Sequence, residues 1–201
     1  MDASGPGPDR LRAVLDAVDA ANADDPHTIV VDGVERPKEL AHAELMTRWV
    51  RELAPDAGDE QLIAARAHHL RRWTIPRDDF PRDRAGYLRW RTALRRQHAD
   101  EVGGIMRGAG YDDVSIGRVQ AIVRKAGLGR DPEVQVHEDA LCLVFLETQF
   151  DELAARLDEV KMIEILQKTA AKMSPAGLAA AGTLPLSDSG AALLERALGA
   201  A

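Results

Sequence analysis

The chain is 201 residues long, 45% apolar, and carries 33 acidic against 26 basic side chains, a formal charge of -7. That length suits one domain with a substantial core, and the acidic balance argues against a general nucleic-acid binder, which needs a surplus of basic surface. The single cysteine, Cys142, allows neither an intramolecular disulfide nor a thiolate metal cluster; the text holds no leader-like segment and no membrane-length apolar run, so a cytoplasmic protein with no membrane partner is expected.

Residues 1–8 are rich in Gly and Pro and are expected to be disordered; residues 9–201 are expected to form a single all-α domain. Asp9 opens a first helix, with Leu11, Val14, Leu15, Val18 and Ala21 at helical spacing, and Asn22 to Pro26 ends it. Thr28 to Val34 is the only strand-like text. A lone short strand has little to pair with, which leaves an extended loop or a small hairpin. Pro37 suits the first turn of a second helix, whose apolar face is Leu45, Met46, Trp49, Val50 and Leu53. His42 points at that same face, either as a core histidine or as a functional one.

Pro55 and Gly58 precede a third helix, with Asp59 and Glu60 favouring its N-terminus. Its periodicity runs through Leu62, Ala65, His69 and Trp73 and predicts helix up to a loop that ends in Pro76. On that reading His69 looks inward and His68 sits about 100° round the axis; a buried imidazole needs partners for both ring nitrogens. After Pro81, a long helix from Gly86 to about Met106 places Tyr87, Trp90, Arg91, Leu94 and His98 on one stripe, readable as an aromatic core flanked by solvated charge or as the wall of a site. Asp113 begins a helix that ends in Arg124-Lys125-Ala126-Gly127.

Pro132 starts the most hydrophobic helix. Its apolar run covers every face, so it is expected to be the buried centre of the fold, running through Glu138 to Phe150. Asp139 falls on the line of Leu143, Leu146 and Phe150. Burying an unpaired carboxylate costs several kcal/mol, which a salt bridge or a metal would have to offset. Cys142 reads as a buried, inert thiol. Asp158 to Lys172 is amphipathic, Ser174-Pro175 breaks it, and Ser187 to Leu198 makes a last helix. Together the periodicities predict a compact fold of about seven or eight helices. The text has no internal repeat, glycine-rich phosphate loop, nucleophile elbow or zinc-finger spacing.

The polar chemistry concentrates between Ala65 and Arg77. Arg72, Arg77, Arg91 and Lys125 lie near the helix ends that carry His69, Tyr87, Trp90 and Asp139. Guanidinium groups recognise phosphate and carboxylate by paired hydrogen bonds, so these residues are candidates to bind a small anionic ligand, the alternative being surface ion pairs.

The order His42, His68-His69 roughly twenty-six residues on, and Asp139 some seventy later resembles the HD superfamily of all-helical, metal-dependent phosphohydrolases. Ala65-Arg66-Ala67-His68-His69-Leu70-Arg71 stands at the place of that superfamily's His-Asp segment, with His69 where the metal-binding aspartate belongs. The resemblance implies a divalent metal (Zn, Mn or Fe) held by His69 and Asp139, with His42, His68 or His98 completing the site. No histidine stands near Lys125, where two-metal members carry one, so a single metal is implied. Glu138 and Lys125 are the catalytic candidates, Glu138 orienting a water or pairing with Arg91, and Arg72, Arg77, Tyr87, Trp90 and Arg91 would face the substrate. A second resemblance covers nearly the whole chain. Arg66-Ala67-His68-His69-Leu70-Arg71-Arg72-Trp73, Gly86-Tyr87-Leu88-Arg89-Trp90-Arg91, Glu138 to Glu147 and Lys168 to Ser174 are similar to the family catalogued as domain of unknown function 4202. That family tends to carry Gln-His at His68-His69 and Tyr at His42, which singles out His69. Three functions are therefore open: a phosphohydrolase on a small phosphorylated compound, a metal-free binder of small anions, and an HD-like iron oxygenase, which would want more ligands than these.

Overall fold

A computed structural model describes residues 8–199. Residues 1–7, expected to be disordered, lie outside the described residues; Pro8, grouped with them above, is already the first residue of helix α1 (Pro8–Ala23). The strand-like text forms a hairpin, β1 (Thr28–Val31) against antiparallel β2 (Val34–Pro37), and this is the one sheet among the described residues. Its partner is the Val34–Pro37 segment, and its turn is Asp32-Gly33. Both turn residues take positive φ, 51° and 77°, as a two-residue hairpin turn of the I′ kind requires, and Asp-Gly suits that turn.

Helix α2 (Lys38–Leu53) follows directly; Pro37 ends β2 and precedes the helix rather than starting it. Helix α3 (Asp59–Arg66) is shorter than its periodicity predicts. The expected continuation through His69 to Trp73 is instead a run of turns, with Arg71 in left-handed conformation (φ 49°) and a single 3-10 turn at Arg72–Thr74. Tertiary partners take the backbone groups that would have propagated the helix. Asn22 Oδ1 accepts from Arg71 N–H at 2.9 Å, and His98 Nδ1–H donates to Leu70 O at 2.8 Å.

A second 3-10 turn, Arg77–Asp79, leads to α4 (Arg84–Gly108), capped by Asp83, whose carboxylate accepts from Gly86 N–H. Gly86 is obligatory there: a Cβ would lie 2.1 Å from Pro81 O. Helix α5 (Asp113–Val123) ends in a Schellman turn. Ala126 N–H reaches Ala121 O, Lys125 N–H reaches Ile122 O, and Lys125 occupies the left-handed position with φ 59°. That position is commonly glycine, and a side chain there costs roughly 1 kcal/mol.

Helix α6 (Pro132–Thr148), capped by Asp131, is the central element and packs against α2, α3 and α5. It stops two residues short of Phe150, which starts α7 (Phe150–Arg156) and remains fully buried. Then follow α8 (Glu159–Ala170), α9 (Pro175–Ala181) and α10 (Asp188–Gly199). Helix α9 was not expected: Ser174-Pro175 ends one helix and starts another, the Ser174 hydroxyl accepting from Gly177 N–H. Among the described residues there are thus ten α-helices, all-α apart from the hairpin. The apolar core has two parts. One joins α1, α3, α4 and α5 through residues such as Val14, Ile63, Met106 and Ile122; the other joins α2 and α6–α10 through Met46, Leu143, Phe150 and Met162.

Candidate functional site

Elements of both core parts contribute to one buried polar cluster. From α2 come Glu39 and His42, one helical turn apart on the same face. Asp25 fixes the start of that helix by accepting from Glu39 N–H at 3.0 Å, and a first-turn carboxylate suits the positive end of the helix. The broken segment after α3 supplies His68 and His69. Because it is not helical, the divergence of neighbouring side chains does not apply: the two rings lie 4.5 Å apart between centroids, and His42 stacks on His69 at 4.2 Å. His98 enters from α4, its ring 6.1 Å from His69, and His137 from α6, 4.7 Å from His68.

The hydrogen bonds define what each ring can still do. His69 Nδ1–H donates to Glu39 Oε2 at 2.9 Å. His98 spends Nδ1–H on Leu70 O, which leaves a buried Nε2 lone pair without a partner. His137 Nε2 and His68 Nδ1 share one proton at 2.8 Å, and the buried Nδ1 of His42 has no partner. Burial pulls all five imidazoles below their usual pKa: His42 and His98 to about 4, His137 to about 3, and His68 and His69 well below 6.5. At neutral pH these shifts favour the uncharged imidazoles, whose free ring nitrogens carry lone pairs. Glu39, His42 and His69 each offer a ligand atom within 4.8 Å of the other two, a donor set of the kind that zinc, manganese and iron accept.

This cluster opens on a cavity of about 400 Å³. Arg72 lines it, 3.7 Å from Glu39 Oε1, with its guanidinium 4.7 Å over the Trp90 ring; Trp90 in turn donates its indole N–H to Ile75 O. Burial lowers the Arg72 pKa while Glu39 raises it. Tyr87 and Arg91, hydrogen-bonded to each other at 3.0 Å, form a further wall, and Leu141, Cys142, Phe145 and Ile165 give it an apolar side. Glu138 also lines it, in a buried ion pair with Lys125, each side chain 5% exposed. Burial lowers the Lys125 pKa and Glu138 holds it up. Cys142 is pushed up to about 12, chiefly by burial, and stays a thiol.

Most of the residues expected from sequence meet here: His42, His68, His69, His98, Arg72, Tyr87, Trp90, Arg91, Lys125 and Glu138. Two are engaged elsewhere. Asp139 accepts from Ser174 N–H at 2.8 Å, Ser174 Oγ–H at 2.5 Å and Gln135 Nε2–H at 3.0 Å, and so anchors α9; neighbours on a helix diverge by about 100°, so Glu138 faces the cavity and Asp139 does not. Arg77 donates to Phe80 O and Pro81 O and ties its own loop together. Glu138 pairs with Lys125, not with Arg91. Sequence reasoning missed Glu39, His137, Arg95 and Lys172. The Glu-x-x-His spacing of Glu39 and His42 on one helix was the available signal for the first; nothing local marked His137.

The fold and site together define an all-α protein that converges a histidine–carboxylate cluster on a cationic cleft. The chain belongs to the family described as Domain of unknown function (DUF4202), whose model matches residues 12–194 and so spans every residue of the site. No curated protein and no solved structure matches the chain.

Proposed function

We propose that this protein is a metal-dependent hydrolase of a small phosphorylated compound. The observation that carries the reading is the convergence of Glu39, His42 and His69 at the edge of a cavity whose other walls hold Arg72 and Arg91. The donor set fits a divalent ion in two respects. The buried His42 Nδ1 lacks any partner, and a proton alone bridges His69 and Glu39. Glu39 supplies the carboxylate that the HD resemblance places at Asp139, which instead holds Ser174.

When bound, a divalent ion supplies a water of pKa around 7 and polarises a phosphoryl oxygen. The chain's residues do the rest. Arg72, its guanidinium 4.7 Å over the Trp90 ring, neutralises the phosphoryl oxygens by charge-assisted hydrogen bonds. The apolar wall around Phe145 receives the organic part of the substrate and excludes water. His98 Nδ1–H on Leu70 O holds the segment that carries His68 and His69 in place.

The test is elemental analysis of protein loaded with zinc, manganese or iron(II) and desalted, for wild type, His42→Ala and His69→Ala, beside hydrolysis of a panel of phosphomonoesters and diphosphates. The expected result is one ion per chain, lost in both variants, with hydrolysis lost alongside. Wild type that holds no divalent ion would end the metalloenzyme reading. In its place would stand a metal-free binder of small anions, which the closed Glu39–His69 and Glu39–Arg72 contacts favour. Oxygen consumption by the iron form without phosphate release would instead support an oxygenase.

A further inference from the structure

Beside the metal-binding group lies a second cavity, about 380 Å³, that shares Tyr87, Arg91, Glu138 and Lys172 with the first and adds Arg95 and Lys125. The two therefore adjoin, with these four side chains between them. The charge lining the second is unusual for an acidic chain. Lys125 is neutralised by Glu138, but Arg91, Arg95 and Lys172 have no carboxylate within ion-pair distance among the described residues. Arg91 and Arg95 stand one turn apart on α4, a like-charge pair that destabilises a helix unless something else satisfies it. Lys125 sits in a left-handed position that favours glycine, so its ammonium is brought into the cleft against a backbone preference.

A single phosphoryl group beside Glu39, His42, His69 and Arg72 would leave Arg91, Arg95 and Lys172 without a counter-charge. We infer that the substrate carries a second, linked phosphoryl group, gripped by Arg91, Arg95 and Lys172, with Lys125 behind them: the ligand class is a diphosphate ester rather than a phosphomonoester. This rests on the hydrolase reading for the position of the first phosphoryl group. Glu138, the one carboxylate among the residues lining the second cavity, is taken up by Lys125 and leaves the other three cations unopposed.

The experiment is calorimetric binding of inorganic pyrophosphate and inorganic phosphate at constant ionic strength, with and without zinc, to wild type, Arg95→Gln and Lys172→Gln. Arg95 and Lys172 make no hydrogen bond or ion pair to Glu39, His42 or His69, and Glu39 bonds instead to His69 and Arg72, so zinc content should stay at the wild-type level in both variants. Expected is pyrophosphate binding at least about tenfold tighter than phosphate, as one or two additional charge-assisted hydrogen bonds provide, and loss of that margin in each variant. Pyrophosphate binding no tighter than phosphate, or a margin unchanged in both variants, overturns the inference. Absence of zinc binding in the same titrations would sink the metal reading separately, while a preference for pyrophosphate persisting without zinc would still support the cationic subsite.

Discussion

The buried Lys125–Glu138 pair gives the sharpest quantitative prediction. Both side chains are 5% exposed, so Lys125→Met removes a partner without admitting much water and leaves a buried carboxylate uncompensated. Such breaks cost about 3–5 kcal/mol. Arg95 lies near enough to act on the same carboxylate, so the lower end, about 3 kcal/mol, is expected. Lys125→Gly should cost roughly 1 kcal/mol less than Lys125→Met, because glycine adopts φ 59° without the side-chain penalty. The double variant Lys125→Met/Glu138→Leu removes both charges and fills the space, and replacement of a whole pair is often neutral, so it should lie within about 1.5 kcal/mol of wild type. Urea unfolding of metal-free protein followed by circular dichroism reads all of these. With a slope of about 2 kcal/mol per molar, 3 kcal/mol is a shift of about 1.5 M in midpoint. A Lys125→Met shift below about 0.3 M, or a double variant whose loss equals the sum of the singles, would refute the reasoning that burial and pairing hold these groups together.

Further expectations bear on the cluster and its supports. The five imidazoles have folded pKa values below the unfolded value near 6.5, so under that pH the unfolded chain binds more protons. Metal-free stability should then be full above about 6.5 and fall as the pH drops toward the values near 4 of His42 and His98; a urea midpoint equal or higher at pH 5 than at pH 7.5 would contradict this. Asp139→Asn should lower the urea midpoint by weakening the anchor on Ser174, an effect of about 1–3 kcal/mol, while the zinc content of the loaded protein stays at the wild-type level; loss of zinc would return Asp139 to the ligand set. Gly177→Ala would set a Cβ 2.7 Å from Asp139 Cγ, an overpacking that should cost about 1–3 kcal/mol, and an unchanged melting temperature would show that α9 gives way freely.

The all-α class and the central place of α6 were legible in the text, because apolar periodicity and capping residues act within a few residues of chain. Asp83, Asp112 and Asp131 each cap the helix that follows them with their own carboxylates, and that information is wholly local. Where α3 stops was not legible. Its periodicity continues past Arg66, but Asn22 and His98, 49 and 28 residues away, take the backbone groups of Arg71 and Leu70. That break also turns His68 and His69 toward one cluster, which an ideal helix would not do. Likewise the choice between Glu138 and Asp139 is a matter of about 100° about the α6 axis, set by which neighbours that helix meets. Glu39 meets His69 across 30 residues, and His137 meets His68 across 69. Periodicity tells a residue's direction only relative to its own helix axis; the angle and distance at which helices pack decide which directions coincide, and that is a property of the whole fold.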